Sequence, residues 1–254
     1  MRVIALLGFC VVAVTAIPSS PSRIAGGNFV TVDKYPSSAS LIHTWDGIHH
    51  TFRCGGTIIN NRSILTAAHC IYYYPHIFFR IRVGSSYGTS GGELLTVANQ
   101  MYYPGFNDDN FRYDIAILHT ATFITYNNNV SPSPIAGSSY FLADNQTVLA
   151  TGWQNTQGTP AAEISTHQLS DAQILTVNTD YCNSRYESAD MPITPEMLCT
   201  GWPEQDYSGQ CVGVFGAGVY HNNVLVGVTT QCPRTYPTVN TRVSSYVSWI
   251  QTNA

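Results

Sequence analysis

Apolar residues in this sequence come in short bursts. Ala39 to Ile42, Gly56 to Ile59, Ile64 to Ala68, Phe78 to Val83, Leu94 to Val97 and Ile115 to Leu118 form one set, each cut off by polar or turn-forming residues. Val148 to Trp153, Ala172 to Val177, Met197 to Thr200, Val212 to Val219, Val224 to Thr230 and Val239 to Val243 form a second. Runs this short, without sustained 3.6-residue periodicity, predict strands. Only the tail from Ser244 to Thr252 spaces its apolar residues as a helix would. The expectation is an all-β chain of two similar-sized units closed by a C-terminal helix. The polar tract from Asn127 to Ser139, which holds Pro132 and Pro134, is the natural junction.

The first residues read as an address. Met1 and Arg2 precede an apolar run from Val3 to Val14, too short to span a bilayer, with Val14 and Ala16 as small residues before a cut. Residues 1–16 are expected to be a secretory signal peptide. The Pro- and Ser-rich stretch 17–23 is expected to be a propeptide cleaved after Arg23, which exposes Ile24. The mature protein is then secreted, with no membrane partner. Cys10 leaves with the signal peptide, and the other six cysteines suggest three disulfides in an oxidising compartment. Spacing alone leaves the pairing open among about 15 connectivities. No pair has CxxC spacing, so no metal site is expected, and no motif calls for a cofactor.

Charge excludes further classes. Removing Arg2 and Arg23 from 11 basic residues leaves 9 against 15 acidic ones, a net charge of −6, with no basic stripe for nucleic acid. Lys34 is the only lysine, and arginine carries the remaining positive charge. Arginine keeps its proton at pH values where lysine begins to lose it, which suggests an alkaline working environment, with compositional drift as the alternative reading.

The segment Cys211-Val-Gly-Val-Phe-Gly-Ala-Gly-Val-Tyr220 packs three glycines into an apolar run. Such a backbone turns tightly and lets a neighbour approach closely. Loops of this kind usually present a reactive group, yet this one presents Phe215.

The flanking motifs carry a resemblance. Cys54-Gly-Gly-Thr-Ile-Ile, Thr66-Ala-Ala-His69-Cys70, Tyr113-Asp114-Ile-Ala-Ile-Leu118, Ile24-Ala-Gly-Gly27, Thr151-Gly-Trp153, Met197-Leu-Cys199 and Tyr236-Pro-Thr-Val-Asn-Thr-Arg-Val243 recur in one chain. Together they resemble the trypsin-like serine peptidases, insect digestive trypsins in particular, from Ile24 to the C-terminus. The resemblance implies a peptidase domain over 24–254 made of two packed six-stranded antiparallel β-barrels, about 24–130 and 131–254, with a C-terminal helix. It also implies the pairings Cys54 with Cys70, Cys182 with Cys199, and Cys211 with Cys232. By motif, His69 corresponds to the general base and Asp114 to the acid that orients it.

At the nucleophile the match fails. The family's Gly-Asp-Ser-Gly-Gly-Pro falls on Gly213-Val-Phe-Gly-Ala-Gly218, so Phe215 stands for the serine and Val214 for the aspartate. A phenyl ring offers no oxygen or sulfur to deprotonate. In active members that aspartate pairs with the amino terminus freed by propeptide cleavage and shapes the oxyanion hole. Val214 cannot make that pair, and Ile24 is expected to stay solvated or find another partner. In the specificity pocket, Gly209 takes the place of the floor aspartate, with Asp206 nearby. The wall around Thr230 is about three residues shorter than the family pattern, and Thr238 replaces a wall glycine. Ser208 precedes Cys211, where the motif puts its serine after that cysteine, and so makes a poor substitute nucleophile.

The resulting expectation is a catalytically inactive homologue, a monomer, that binds peptides or peptidase inhibitors in the gut lumen. The rivals are a serine-type endopeptidase with an unrecognised nucleophile and a structural secreted protein without a ligand. Asn61, Asn129 and Asn145 open sequons for N-glycosylation. The aromatic cluster from Tyr72 to Phe79 is read as barrel packing with an exposed rim.

Overall fold

A computed structural model describes residues 27–154, 168–189, 191–203, 214–233 and 235–254. In chain order the strands are β1 (Asn28–Phe29), β2 (Ser38–His43), β3 (Thr51–Ile58), β4 (Ser63–Thr66), β5 (Phe79–Val83), β6 (Glu93–Tyr102) and β7 (Ala116–Thr120). They continue as β8 (Thr147–Gln154), β9 (Gln168–Thr176), β10 (Met197–Gly201), β11 (Gly218–His221), β12 (Val224–Gln231) and β13 (Thr238–Arg242). Strands β2-β3-β4-β7-β6-β5 close a first barrel. The second runs β9-β10-β13-β12-β11-β8 and closes because β8 also pairs with β9. Closure removes the open edges that would otherwise recruit other strands. The expectation of two six-stranded antiparallel barrels therefore holds.

Three details differ from the sequence reading. β1 does not join the first barrel, to which residues from 24 were assigned. It lies antiparallel on β9, with Asn28 opposite Asp171 and Phe29 opposite Ser170. In the run Val212 to Val219, whose first two residues lie outside the described ones, strand begins at Gly218, because Val214 to Ala217 form a turn. Helix is also not confined to the tail, since α1 covers Thr179–Tyr186. There the Asn178 side chain accepts from the N–H groups of Asp180 and Tyr181 and so caps the first turn. Its sequence signal is an asparagine just ahead of an acid. The apolar side is weak, and a period search passes over it.

The tail folds as expected, with α2 (Val247–Asn253) following a 3-10 turn. Its apolar face joins the principal core, where Tyr246 and Ile250 pack among first-barrel residues such as Ile117, Leu118 and Phe106. Tyr220, Leu225 and Val228 of the second barrel reach the same cluster. The principal core thus extends from the first barrel onto one side of the second, which also packs a cluster of its own around Val148, Ile174 and Val219.

Disulfides Cys54–Cys70 and Cys182–Cys199 form as expected. Each spans 16 or 17 residues, a length worth about 3 kcal/mol where loop-closure entropy dominates. Cys232 is disulfide-bonded as well. Its expected partner, Cys211, lies outside the described residues.

Candidate active site

His69 sits in a single 3-10 turn, Ala68–Cys70, directly after β4. The Cys54–Cys70 bridge fixes the far end of that turn, and Arg53 Nε donates to the Cys70 carbonyl at 2.9 Å. Asp114 precedes β7 and is fully buried. A buried carboxylate needs donors on its oxygens, and His69 supplies two. Its backbone N–H donates to Oδ1 at 2.8 Å and its ring Nδ1 lies 2.7 Å from Oδ2. With Asp114 as acceptor, Nδ1 is the ring nitrogen that donates. A third contact holds the aspartate's backbone, because Thr241 Oγ1 donates to the Asp114 carbonyl at 2.7 Å.

The third position is occupied by Phe215. Val214 to Ala217 form a turn closed by the Ala217 N–H on the Val214 carbonyl at 3.0 Å. Gly216 adopts φ +78° at the turn's third position, where type II geometry favours glycine. A Cβ on Gly216 would lie 2.4 Å from Thr66 Oγ1 and 2.5 Å from the Gly55 carbonyl oxygen. The turn is seated against the first barrel by Gly55 N–H on the Phe215 carbonyl, and against β12 by Gly216 N–H on the Thr229 carbonyl, both at 2.8 Å. The backbone of a nucleophile-bearing turn is therefore in place. It carries a phenyl ring, 41% exposed, whose centroid is 5.2 Å from the His69 imidazole at an interplanar angle of 82°.

A second aromatic ring was not anticipated. Phe111 meets His69 edge-to-face from another side, centroids 5.6 Å apart. It does so from a left-handed backbone at φ +53°, followed by Tyr113 at φ +60°. Such conformations are uncommon outside glycine and asparagine. An Asn107–Arg112 bridge and a hydrogen bond from Tyr73 to Asp108 brace this loop. His69 is thus held by one carboxylate and two aromatic rings. The Cys54, His69 and Cys70 side chains also converge, but the two sulfurs are bonded to each other and offer no thiolate to a metal.

The wall residues are built into the second barrel. Thr230 is buried and its Oγ1 lies 3.0 Å from Thr241 Oγ1, the group that bonds the Asp114 backbone. Thr238 is buried too, with its hydroxyl 3.8 Å from Cys232 Sγ. The structure therefore brings His69, Asp114, Phe215 and, through Thr241, Thr230 together, and it adds Phe111. Gly209, Gly213, Asp206, Ser208, Arg23 and Ile24 lie outside the described residues. Asn61, Asn129 and Asn145 are all exposed. In the Tyr72 to Phe79 cluster, Phe79 is wholly buried while Tyr72, Tyr73 and Ile77 face solvent.

A histidine–aspartate pair in the cleft between two closed barrels, facing a glycine-supported turn, defines the class. The chain belongs to the trypsin family of serine peptidases, whose profile, described as Trypsin, matches residues 24–250. Among the relatives it matches, Trypsin CFT-1 of Choristoneura fumiferana is 43% identical and both chains are covered completely. Trypsin, alkaline C of Manduca sexta is 41% identical over 99% of this chain and 98% of its own. The fold also matches the crystal structure of the scabies mite inactivated protease paralogue S-D1, with a TM-score of 0.79 at 23% identity, over 90% of this chain and 96% of that one.

Proposed function

We propose that this is a secreted trypsin-family protein that does not hydrolyse peptide bonds, and that its inter-barrel cleft captures peptides or proteinaceous peptidase inhibitors. The observation that carries the reading is Phe215. Acyl transfer needs a hydroxyl or thiol within hydrogen-bond reach of the basic imidazole nitrogen. At this point of the turn the chain places a ring 5.2 Å from the imidazole, centroid to centroid. The framework around this position is retained, since the His69–Asp114 pair and the turn's seating on both barrels are intact. A groove between the barrels, lined by apolar side chains with a few convergent polar groups, is the kind of surface on which ligands bind.

A second reading, an active serine endopeptidase with a different nucleophile, is favoured by the intact His69–Asp114 pair and by relatives named as trypsins. A fluorophosphonate probe separates the two. Beside an active trypsin, the processed protein is expected to take up no label, while inhibitor proteins immobilised on resin retain it. Stoichiometric labelling of any serine would sink the first reading. Passage through every inhibitor and peptide resin would leave the cleft without a ligand and remove the binding role.

A further inference from the structure

The short segment that leads into the first barrel is fastened to the second by groups that the active-site reading does not use. Val30 N–H donates to the Leu169 carbonyl at 2.9 Å, continuing the β1–β9 pairing. Gly27 lies so close to β9 that a Cβ there would fall 1.8 Å from the Asp171 carbonyl oxygen. Four residues after Val30, Lys34 places its ammonium 2.5 Å from Asp171 Oδ2. Tyr35 OH donates to the same oxygen at 2.7 Å. The Asp171 side chain is only 6% exposed, so its charge is tolerable only while these donors stay in place. Val32, Tyr35, Trp153 and Leu169 pack together beneath the contact, and Val32 N–H is further tied to Ser86 Oγ at 3.0 Å.

We infer that Lys34 and Tyr35, gripping Asp171, hold residues 27–35 on the second barrel whether or not the chain is cut after Arg23. A carboxylate buried within the second barrel and claimed from the N-terminal side takes over the fastening that Val214, an apolar residue, cannot supply. Lys34 is the only lysine in the chain, and its side chain is 54% exposed, so it and the α-amine are the only primary amines a reagent meets, and peptide mapping tells the two apart. The inference is independent of whether the cleft binds anything.

The test compares uncut full-length protein with the same protein cut after Arg23. The expected result is an unchanged thermal midpoint and unchanged amide-exchange protection at Val30. Lys34→Met, or acetylation of Lys34 in the folded wild-type protein, is expected to lower that protection by about tenfold or more, and Lys34→Arg to retain most of it. Acetylation avoids any failure of the variant to fold. A midpoint that rises by several degrees on cutting would overturn the inference, because the new terminus would then be the fastener. So would Val30 protection that changes less than about threefold once the Lys34 charge is removed.

Discussion

Phe215 is one substitution from serine, yet the single reversal is expected to restore little. A serine there would regain the oxygen, but Val214 would still leave the turn without a carboxylate, and if Gly209 stands for the floor aspartate, as the motif match implies, that position offers no cation partner. The Phe215→Ser variant, assayed with an arginine-type chromogenic substrate, is therefore expected to stay near background. Brisk turnover would mean that the oxyanion donors and the pocket had survived the neighbouring changes. How much of this was legible at residue level follows from how each group announces itself. His69 and Asp114 stand in strings whose neighbours are equally specific, and both landed in one hydrogen-bonded pair. Phe111 carries no such string. Its approach to His69 depends on a left-handed backbone, which no residue-type preference predicts for phenylalanine. The Lys34–Asp171 pair was equally silent, because its members are 137 positions apart and meet only once β1 has paired with β9.

Strands were easier to read than helices. Burial on alternate or on both faces leaves a strong apolar trace, as in β2, which is buried throughout, and β12, which is buried apart from its ends. Helix α1 leaves little trace because only Cys182 and Tyr186 of its eight residues are buried. Its start is set by a cap, not by a face. Replacing Asn178 with alanine should therefore cost about 1 kcal/mol, measured by chemical denaturation, through loss of the acceptor for two helix-terminal N–H groups. A cost near zero would show that the Cys182–Cys199 bridge alone holds the helix. The turn at Val214 to Ala217 was misread as strand for a related reason. Its residues are apolar, and only the glycine positions hint that the run bends before β11 begins.

Across the whole molecule, the tyrosines set the limit at high pH. Burial raises the phenols of Tyr35, Tyr186, Tyr220 and Tyr246 above the ordinary value of 10.0, and for Tyr35 the hydrogen bond to Asp171 raises it further. In the unfolded chain these groups lose their protons near pH 10, while in the folded chain they keep them. Above that pH the unfolded state binds fewer protons, so stability falls as pH rises. Thermal midpoints are expected to be level with respect to these groups from pH 7 to about 9 and to drop beyond about 10. Tyr246→Phe should make the drop shallower. A midpoint already falling at pH 8 would count against the alkaline working environment suggested by the arginine-for-lysine bias.

The crossing of the chain's two extremities has a consequence for biosynthesis. β1 pairs with β9 of the second barrel, whereas the C-terminal turn and α2 dock on the first, with Tyr103 against Tyr246 and Trp249 and with His119 Nε2 2.9 Å from the Asn253 carbonyl. Each half therefore waits for a piece that the ribosome delivers with the other. The first barrel emerges before its helical cover, and β1 has no partner until β9 is made. Completion of the fold therefore needs contacts between segments far apart in the chain, and a topology dominated by such contacts is expected to form slowly. The half-made protein spends that interval with apolar surface open to its surroundings.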